Sequence, residues 1–248
     1  MIEEYFRPQS LEDAITLLSS HSPKAYPLGG GSFLSRHTKE PCAVVDLQDL
    51  GLGSIERQGN ILSIGATCNL DTLYNHAYVS PELREAIRGE TNFNLRQIAT
   101  IAGVVVTADG SSTLTTALLA LDTRLIWMPG EKEVSLGDWL ALRPAGSAGS
   151  LITKITLSLN AFLKFASVSR TPDDQPIVCV GVGRWPSGRT RIAIGAGGKA
   201  PVLAMDGPIA EGAEIAAEDA CSQLVKLTTI NQYQQEITQT LVKRLLNE

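Results

Sequence analysis

Residues 28–34 read Leu-Gly-Gly-Gly-Ser-Phe-Leu, a small-residue loop that follows a short apolar stretch and precedes a segment with a helical pattern. A second loop has the same setting, because residues 100–104 read Thr-Ile-Ala-Gly-Val and residues 111–113 read Ser-Ser-Thr. Glycine lacks a Cβ and lets backbone N–H groups approach a ligand, and a helix N-terminus favours negative charge. The two loops together predict a nucleotide whose pyrophosphate is held from both sides.

The composition predicts a globular protein whose redox chemistry, if any, comes from an organic cofactor. The 248 residues are 44% hydrophobic, and the net charge of −5 comes without a basic stripe, which argues against a nucleic-acid partner. The acidic start is unlike a signal peptide, and no apolar stretch is long enough to span a membrane, so we expect a soluble, cytoplasmic protein. The four cysteines and three histidines are scattered, whereas zinc and iron–sulfur sites need closely spaced ligands.

The hydrophobic pattern predicts a mixture of strands and helices, beginning with a small β-α-β unit in the first fifty residues. A buried strand is expected at 101–106 because these residues are apolar and mostly β-branched, and Gly59-Asn60 predicts a hairpin turn. The other predicted strands are 25–28, 43–47, 54–57, 61–64, 123–128, 151–159, 176–185 and 191–194. The predicted helices begin near Ser10, Asn69, Ser80, Leu114 and Asn231.

Taken in order, these segments resemble the FAD-binding subunit of molybdenum hydroxylases, a family that includes flavin subunits of xanthine dehydrogenases and aerobic carbon monoxide dehydrogenases. Its first signature, roughly Ala-Gly-Gly-Thr/His-Asp/Ser-Leu-Leu, matches residues 28–34. Its second, Thr-Ile-Gly-Gly-Asn followed by Ser-Asp-Leu, matches residues 100–104 and 112–114. Two loops in the correct order and spacing are more specific than either alone.

The resemblance implies an α+β fold. A two-lobed FAD-binding domain of the molybdopterin dehydrogenase (PCMH-like) type would occupy residues 1–160, with lobes at about 1–53 and 54–160. A small β-sheet-plus-helix C-terminal domain would follow at 161–248. FAD would lie in the cleft between the two lobes.

The resemblance also implies a set of FAD contacts, with no catalytic residue and no metal ligand. Three positions depart from the family pattern: Ala102 replaces a glycine, Val104 an asparagine and Thr113 an aspartate. Each lost hydrogen bond is worth on the order of 1 kcal/mol, so the departures should weaken FAD binding unless other groups compensate. The expected contacts are Leu28, Gly29, Gly30, Gly31, Ser32, Phe33, Thr100, Ala102, Gly103, Val104, Ser112, Thr113, Ile152 and Lys164.

The resemblance implies that the chain is the subunit through which electrons leave the enzyme complex. A molybdenum-cofactor subunit oxidises the substrate, a [2Fe–2S] subunit carries the electrons to FAD, and NAD or another acceptor removes them. Two alternatives stay open. The chain could be a flavin-free scaffold subunit of the same fold with a degenerate FAD site, or a free-standing flavin oxidase, although the remaining ninety or so residues are few for a substrate domain.

Overall fold

The computed structural model describes residues 2–20, 22–34, 40–143, 149–171, 174–208, 215, 219 and 231–247. Helices and strands are mixed along the chain, as the sequence predicts. The strands are β1 Ile2–Phe6, β2 Ala25–Leu28, β3 Cys42–Asp46, β4 Ile55–Gln58, β5 Ile61–Gly65, β6 Arg124–Met128, β7 Lys132–Ser135, β8 Leu151–Ser158, β9 Phe162–Val168, β10 Val178–Arg184, β11 Arg189–Gly195 and β12 Val202–Pro208. The helices are α1 Leu11–Ser20, α2 Leu70–Tyr74, α3 Pro81–Glu90, α4 Phe93–Arg96, α5 Ile101–Thr107, α6 Thr113–Ala120, α7 Leu136–Leu142 and α8 Gln232–Asn247.

The first of two compact units comprises residues 1–75, 93–107 and 124–156. It holds a three-stranded parallel sheet in the order β1-β3-β2 and a five-stranded sheet in the order β4-β5-β8-β6-β7. Helix α1 contributes Ala14 and Leu18 to a core shared with Ala43 and Val45 of β3. Burial of these apolar side chains is what holds the helix against the parallel sheet.

The second unit comprises residues 76–92, 108–123 and 157–248. Its sheet is antiparallel, in the order β12-β11-β10-β9, and it packs against α6 and α8. Helix α6 is buried along its whole length. It lies so close to β10 that a Cβ at Gly183 would stand 2.2 Å from the Ala120 carbonyl oxygen, so this contact requires a glycine.

Local signals in the sequence located many of these elements. The hydroxyls of Ser10 and Ser80 accept hydrogen bonds from the N–H groups of Asp13 and Leu83 and cap α1 and α3 as expected. The hairpin at Gly59 is present, with a positive φ of 61° at that glycine. The second hairpin, β10–β11, and the C-terminal helix α8 are present too.

The prediction of a strand at 101–106 is wrong, because these residues form helix α5. Thr100 Oγ1 accepts a hydrogen bond from Gly103 N at 3.2 Å and starts the helix. The β propensity of valine and isoleucine is weak compared with such a cap and with tertiary packing. Sequence patterns also missed β1, β7, β9, β12, α4 and α7, and the helix predicted to begin near Asn69 ends at Tyr74.

The division into domains at residue 160 stays a prediction. The compact units are interleaved in sequence, since 76–92 and 108–123 cluster with the C-terminal residues. The last segment of the second unit begins at Leu157.

Candidate cofactor site

A cavity of about 620 Å³ lies within the first unit, and residues of both glycine-containing loops line it. Its volume falls within the range of about 300–1,000 Å³ that is usual for ligand sites. The expected contacts that line it are Gly29, Gly30, Gly31, Ser32, Phe33, Thr100, Ala102, Gly103 and Ile152. The structure therefore brings together two segments that lie far apart in sequence.

The first loop packs closely against residues 98–100, which lead into the second loop. A Cβ at Gly30 would stand 1.6 Å from the carbonyl oxygen of Ile98, and one at Gly29 would stand 2.7 Å from Thr100 Oγ1. Glycine is therefore needed at both positions so that one loop can pack against the other. Gly31 has a positive φ of 73°, which favours glycine at the turn itself.

The loops differ in the backbone donors that they offer. The N–H groups of Gly30 and Ser32 make no hydrogen bond with any residue that the structure describes. In the second loop, by contrast, Ile101 N donates to Cys68 O and Ala102 N donates to Ala66 O. Gly103 N is bound by Thr100 Oγ1. In the part of the chain that the structure describes, the first loop therefore keeps backbone donors for an anionic ligand, whereas the N–H groups of residues 101–103 are already bonded within the chain.

The charges on the cavity wall all have one sign. Among the described residues, Lys24 and Arg143 are the charged residues of the lining, and no carboxylate joins them. The Lys24 ammonium lies 5.2 Å from the centre of the Tyr26 ring. The Arg143 guanidinium donates to the carbonyl oxygens of Val105 and Val106 at 3.3 and 3.2 Å. This wall suits a ligand that carries several negative charges.

Sequence reasoning missed the cationic and aromatic residues of the wall. Trp127, Trp139, Lys24 and Arg143 line the cavity, but they come from three separate parts of the chain and share no motif. The only available signal was composition, since the chain has three tryptophans. The two tryptophans of the wall come together because of the way β6 and α7 pack.

Ser112 and Thr113 belong to the second unit, where a buried carboxylate engages them. Glu90 Oε2 accepts hydrogen bonds from Ser112 Oγ at 2.9 Å and from Leu114 N at 2.9 Å, and Thr113 Oγ1 lies 3.2 Å from it. Thr113 Oγ1 also donates to Ala86 O at 2.6 Å. Burial raises the pKa of Glu90, while these hydrogen bonds act in the opposite direction. Ser112 caps α6, because its hydroxyl accepts a hydrogen bond from Thr115 N.

The remaining expected contacts are placed as follows. Leu28 and Val104 are half-buried neighbours of the lining residues but do not line the cavity. Lys164 lies on β9 in the second unit, paired in register with Val182. Roles for Ser112, Thr113 and Lys164 in binding FAD stay predictions. In the described part of the chain, no group of His, Cys, Asp and Glu side chains could hold a metal ion, and no helix could span a membrane.

Comparison with known proteins decides the family. The profile described as the FAD binding domain in molybdopterin dehydrogenase matches residues 1–158. This chain belongs to that family. The cofactor of this FAD-binding family fits the cavity, because the pyrophosphate of FAD is dianionic and its two ring systems are flat. The wall offers cations, N–H groups of the first loop and aromatic side chains to match.

The relatives of this FAD-binding chain agree with the assignment. It is 35% identical to uncharacterized protein YgfM of Escherichia coli over 144 residues, which are 57% of the chain and 55% of that protein. It is 28% identical to the carbon monoxide dehydrogenase medium chain of Afipia carboxidovorans over 166 residues, 62% of the chain and 58% of that protein. These alignments span just over half the length of the relatives.

The fold is that of a solved structure. A carbon monoxide dehydrogenase chain from Hydrogenophaga pseudoflava superposes with a TM-score of 0.82, covering 100% of this chain and 96% of that one at 20% identity. This similarity concerns the fold alone.

Proposed function

We propose that the chain is the FAD-binding electron-transfer subunit of a molybdenum hydroxylase complex and holds FAD in the cavity of the first unit. The observation that carries this proposal is the cavity wall, where the first glycine loop and two cations face the same space and no described residue adds a carboxylate. When bound, FAD would supply the redox chemistry, and the residues of the chain would bind it, orient it and exclude water. Among the described residues that line the cavity there is no carboxylate or histidine, so we assign no general acid or base for substrate chemistry.

The partners follow from the same proposal. Electrons would come from [2Fe–2S] clusters in one partner subunit, after substrate oxidation by a molybdenum-cofactor subunit, and would leave to NAD or another acceptor. The relative in Paenarthrobacter nicotinovorans is named subunit alpha of a dehydrogenase complex, which supports a heteromeric assembly. We expect the assembly to be soluble and cytoplasmic.

FAD uptake is tested by the visible absorption spectrum of the purified chain after addition of FAD and desalting. Ala102→Asp is the decisive variant, because Ala102 lines the cavity in the first turn of α5, where aspartate is compatible with a helix. The added carboxylate should repel the pyrophosphate and weaken binding by more than about tenfold. Ala102→Ser, similar in size but neutral, is the matched control. Equal FAD uptake by the aspartate variant would rule out this cavity as the site.

Electron transfer is tested in the assembled complex by adding substrate and following the loss of flavin absorbance. Bleaching, followed by recovery on addition of an acceptor, supports the proposal. A flavin that stays oxidised while the iron–sulfur partner is reduced would contradict it.

One observation favours the second candidate, a flavin-free scaffold subunit. Glu90 already engages Ser112 and Thr113, and the N–H groups at 101–103 are bound within the chain, so fewer groups are available to a cofactor. A complex that purifies with its partners, lacks flavin bands and takes up no added FAD would establish the scaffold function instead.

A further inference from the structure

Three side chains form one continuous part of the cavity wall, which we call the indole wall: Trp127 on β6, Trp139 on α7 and Arg143 just after α7. The Arg143 guanidinium lies 5.4 Å from the centre of the Trp139 ring. The two indole centroids are 6.0 Å apart, with their planes tilted by 35°. These are ordinary distances for a cation on an aromatic face and for an offset aromatic pair.

The indole wall is held in place before any ligand arrives. Arg143 is anchored by the carbonyl oxygens of Val105 and Val106, which end helix α5 on another side of the cavity. Trp127 lies on β6, a strand paired on both sides, with Lys132 of β7 and Ile152 of β8. Preorganised side chains lose less conformational entropy when a ligand binds.

Core packing by itself does not explain this arrangement. Trp139 is buried, but Trp127 is only half-buried and Val106 beside the wall is 45% exposed. All of them face the same cavity as the glycine loops. The indole N–H of Trp127 has no hydrogen-bond partner among the described residues. The indole of Trp127 therefore contributes its ring faces and no polar contact to the chain around it.

We propose that the indole wall is a binding subsite for one flat nitrogen heterocycle of the dinucleotide, which stacks beside Trp127 while Arg143 keeps the neighbouring Trp139 ring in position. The subsite rests on the proposed FAD function. Both ends of FAD are flat heterocycles, the adenine and the isoalloxazine, and the pyrophosphate between them would lie at the first glycine loop. Stacking on an aromatic face accepts either ring, so the ring must be identified by experiment.

The test compares the affinity of full-length wild type and Trp127→Leu for FAD, ADP and FMN by isothermal titration calorimetry. Loss of one stacking face should weaken FAD binding by about 5- to 150-fold. A parallel loss for ADP identifies the adenine ring, and a parallel loss for FMN identifies the isoalloxazine. Trp185→Leu, which removes a tryptophan of the second unit that stacks with Arg189, is the control and should bind FAD like wild type.

Trp127→Phe keeps a ring and removes an N–H that bonds to nothing described, so it should fold and should bind FAD within about threefold of wild type. Arg143→Lys keeps the positive charge but loses the planar group over Trp139. It should still weaken FAD binding, because the Trp139 ring is no longer held in position. Wild-type FAD affinity in folded Trp127→Leu would overturn the subsite and leave the proposed function intact. Failure of wild type to bind any of the three ligands would overturn both.

Discussion

Replacement of Gly30 by alanine tests whether the two loops pack as the structure shows. The new Cβ would stand 1.6 Å from Ile98 O, whereas real Cβ contacts essentially never fall below 3.0 Å, so the two segments must move apart to make up the difference. The clash is with backbone on both sides, and no side-chain rotation can relieve it. Gly29→Ala is milder, because its Cβ would meet the Thr100 side chain at 2.7 Å.

The expected cost follows from this displacement. Overpacking of this kind destabilises a protein by about 1–3 kcal/mol, which corresponds to a decrease in Tm of about 2–12 °C for a chain of this size. The shift also moves the N–H groups of Gly30 and Ser32 away from the cavity. Loss of one hydrogen bond to a charged ligand group is worth about 1.5–3 kcal/mol, so FAD binding should weaken by about tenfold or more.

The assay pairs differential scanning calorimetry with FAD titration, and Gly53→Ala is the control. A Cβ at Gly53 would meet only Thr67 Oγ1 at an ordinary 3.7 Å, and we expect this variant to be neutral or stabilised by about 0.4–1 kcal/mol. The order of stability should be Gly53→Ala, then Gly29→Ala, then Gly30→Ala. A Gly30→Ala variant with the Tm and FAD affinity of the control would refute the packing argument.

Other predictions concern buried groups of both units. Burial raises the pKa of Glu90 in the folded protein. The protonated Glu90 carboxyl therefore contributes fully to the stability of the fold below the unfolded pKa of about 4.3, and this contribution is lost as the pH rises through the higher folded pKa. Glu90→Gln should therefore lose less stability than wild type as the pH rises above about 4.3 in urea unfolding, and equal slopes would contradict this. Asp122 pairs with Arg189 at 2.9 Å and with the 4%-exposed Arg191, whose guanidinium also lies 3.2 Å from Asp206 Oδ2. Because Asp206 remains as a partner, Asp122→Asn should cost about 1–3 kcal/mol in urea unfolding, and an unchanged stability would contradict this. Burial raises the pKa of Cys68 to about 11, so its peptide should stay unlabelled by iodoacetamide at about pH 8 until denaturant is added, as mass spectrometry would show.

Much of the local structure was predictable because it depends on neighbouring residues. A serine hydroxyl three residues before a free N–H caps a helix, as at Ser10, Ser80 and Ser112. The Gly59 hairpin follows from backbone conformations that glycine adopts easily. The two small-residue loops were recognisable for the same reason, and they carried the resemblance to the FAD-binding family.

The site could be predicted only in part, because its chemistry depends on contacts across the chain. The glycines at 29 and 30 line the cavity, and their lack of a Cβ also permits the close approach of Thr100 and Ile98, which the sequence did not predict. The sequence predicts N–H donors in the second loop, but in the structure Ala66 O and Cys68 O already accept hydrogen bonds from residues 102 and 101. Residues 101–106 form a helix because these hydrogen bonds and the Thr100 cap stabilise its first turn.

The sequence by itself determined the family, the cofactor class and the positions of the two loops, since these depend on residue types at short spacing. Only the tertiary structure decided which donors remain for a ligand, that Glu90 occupies the start of α6, and that Trp127, Trp139 and Arg143 share a wall with the glycine loops. The physical reason is that each donor, acceptor or ring pairs with the group that folding brings nearest to it, and residues distant in sequence supply those groups.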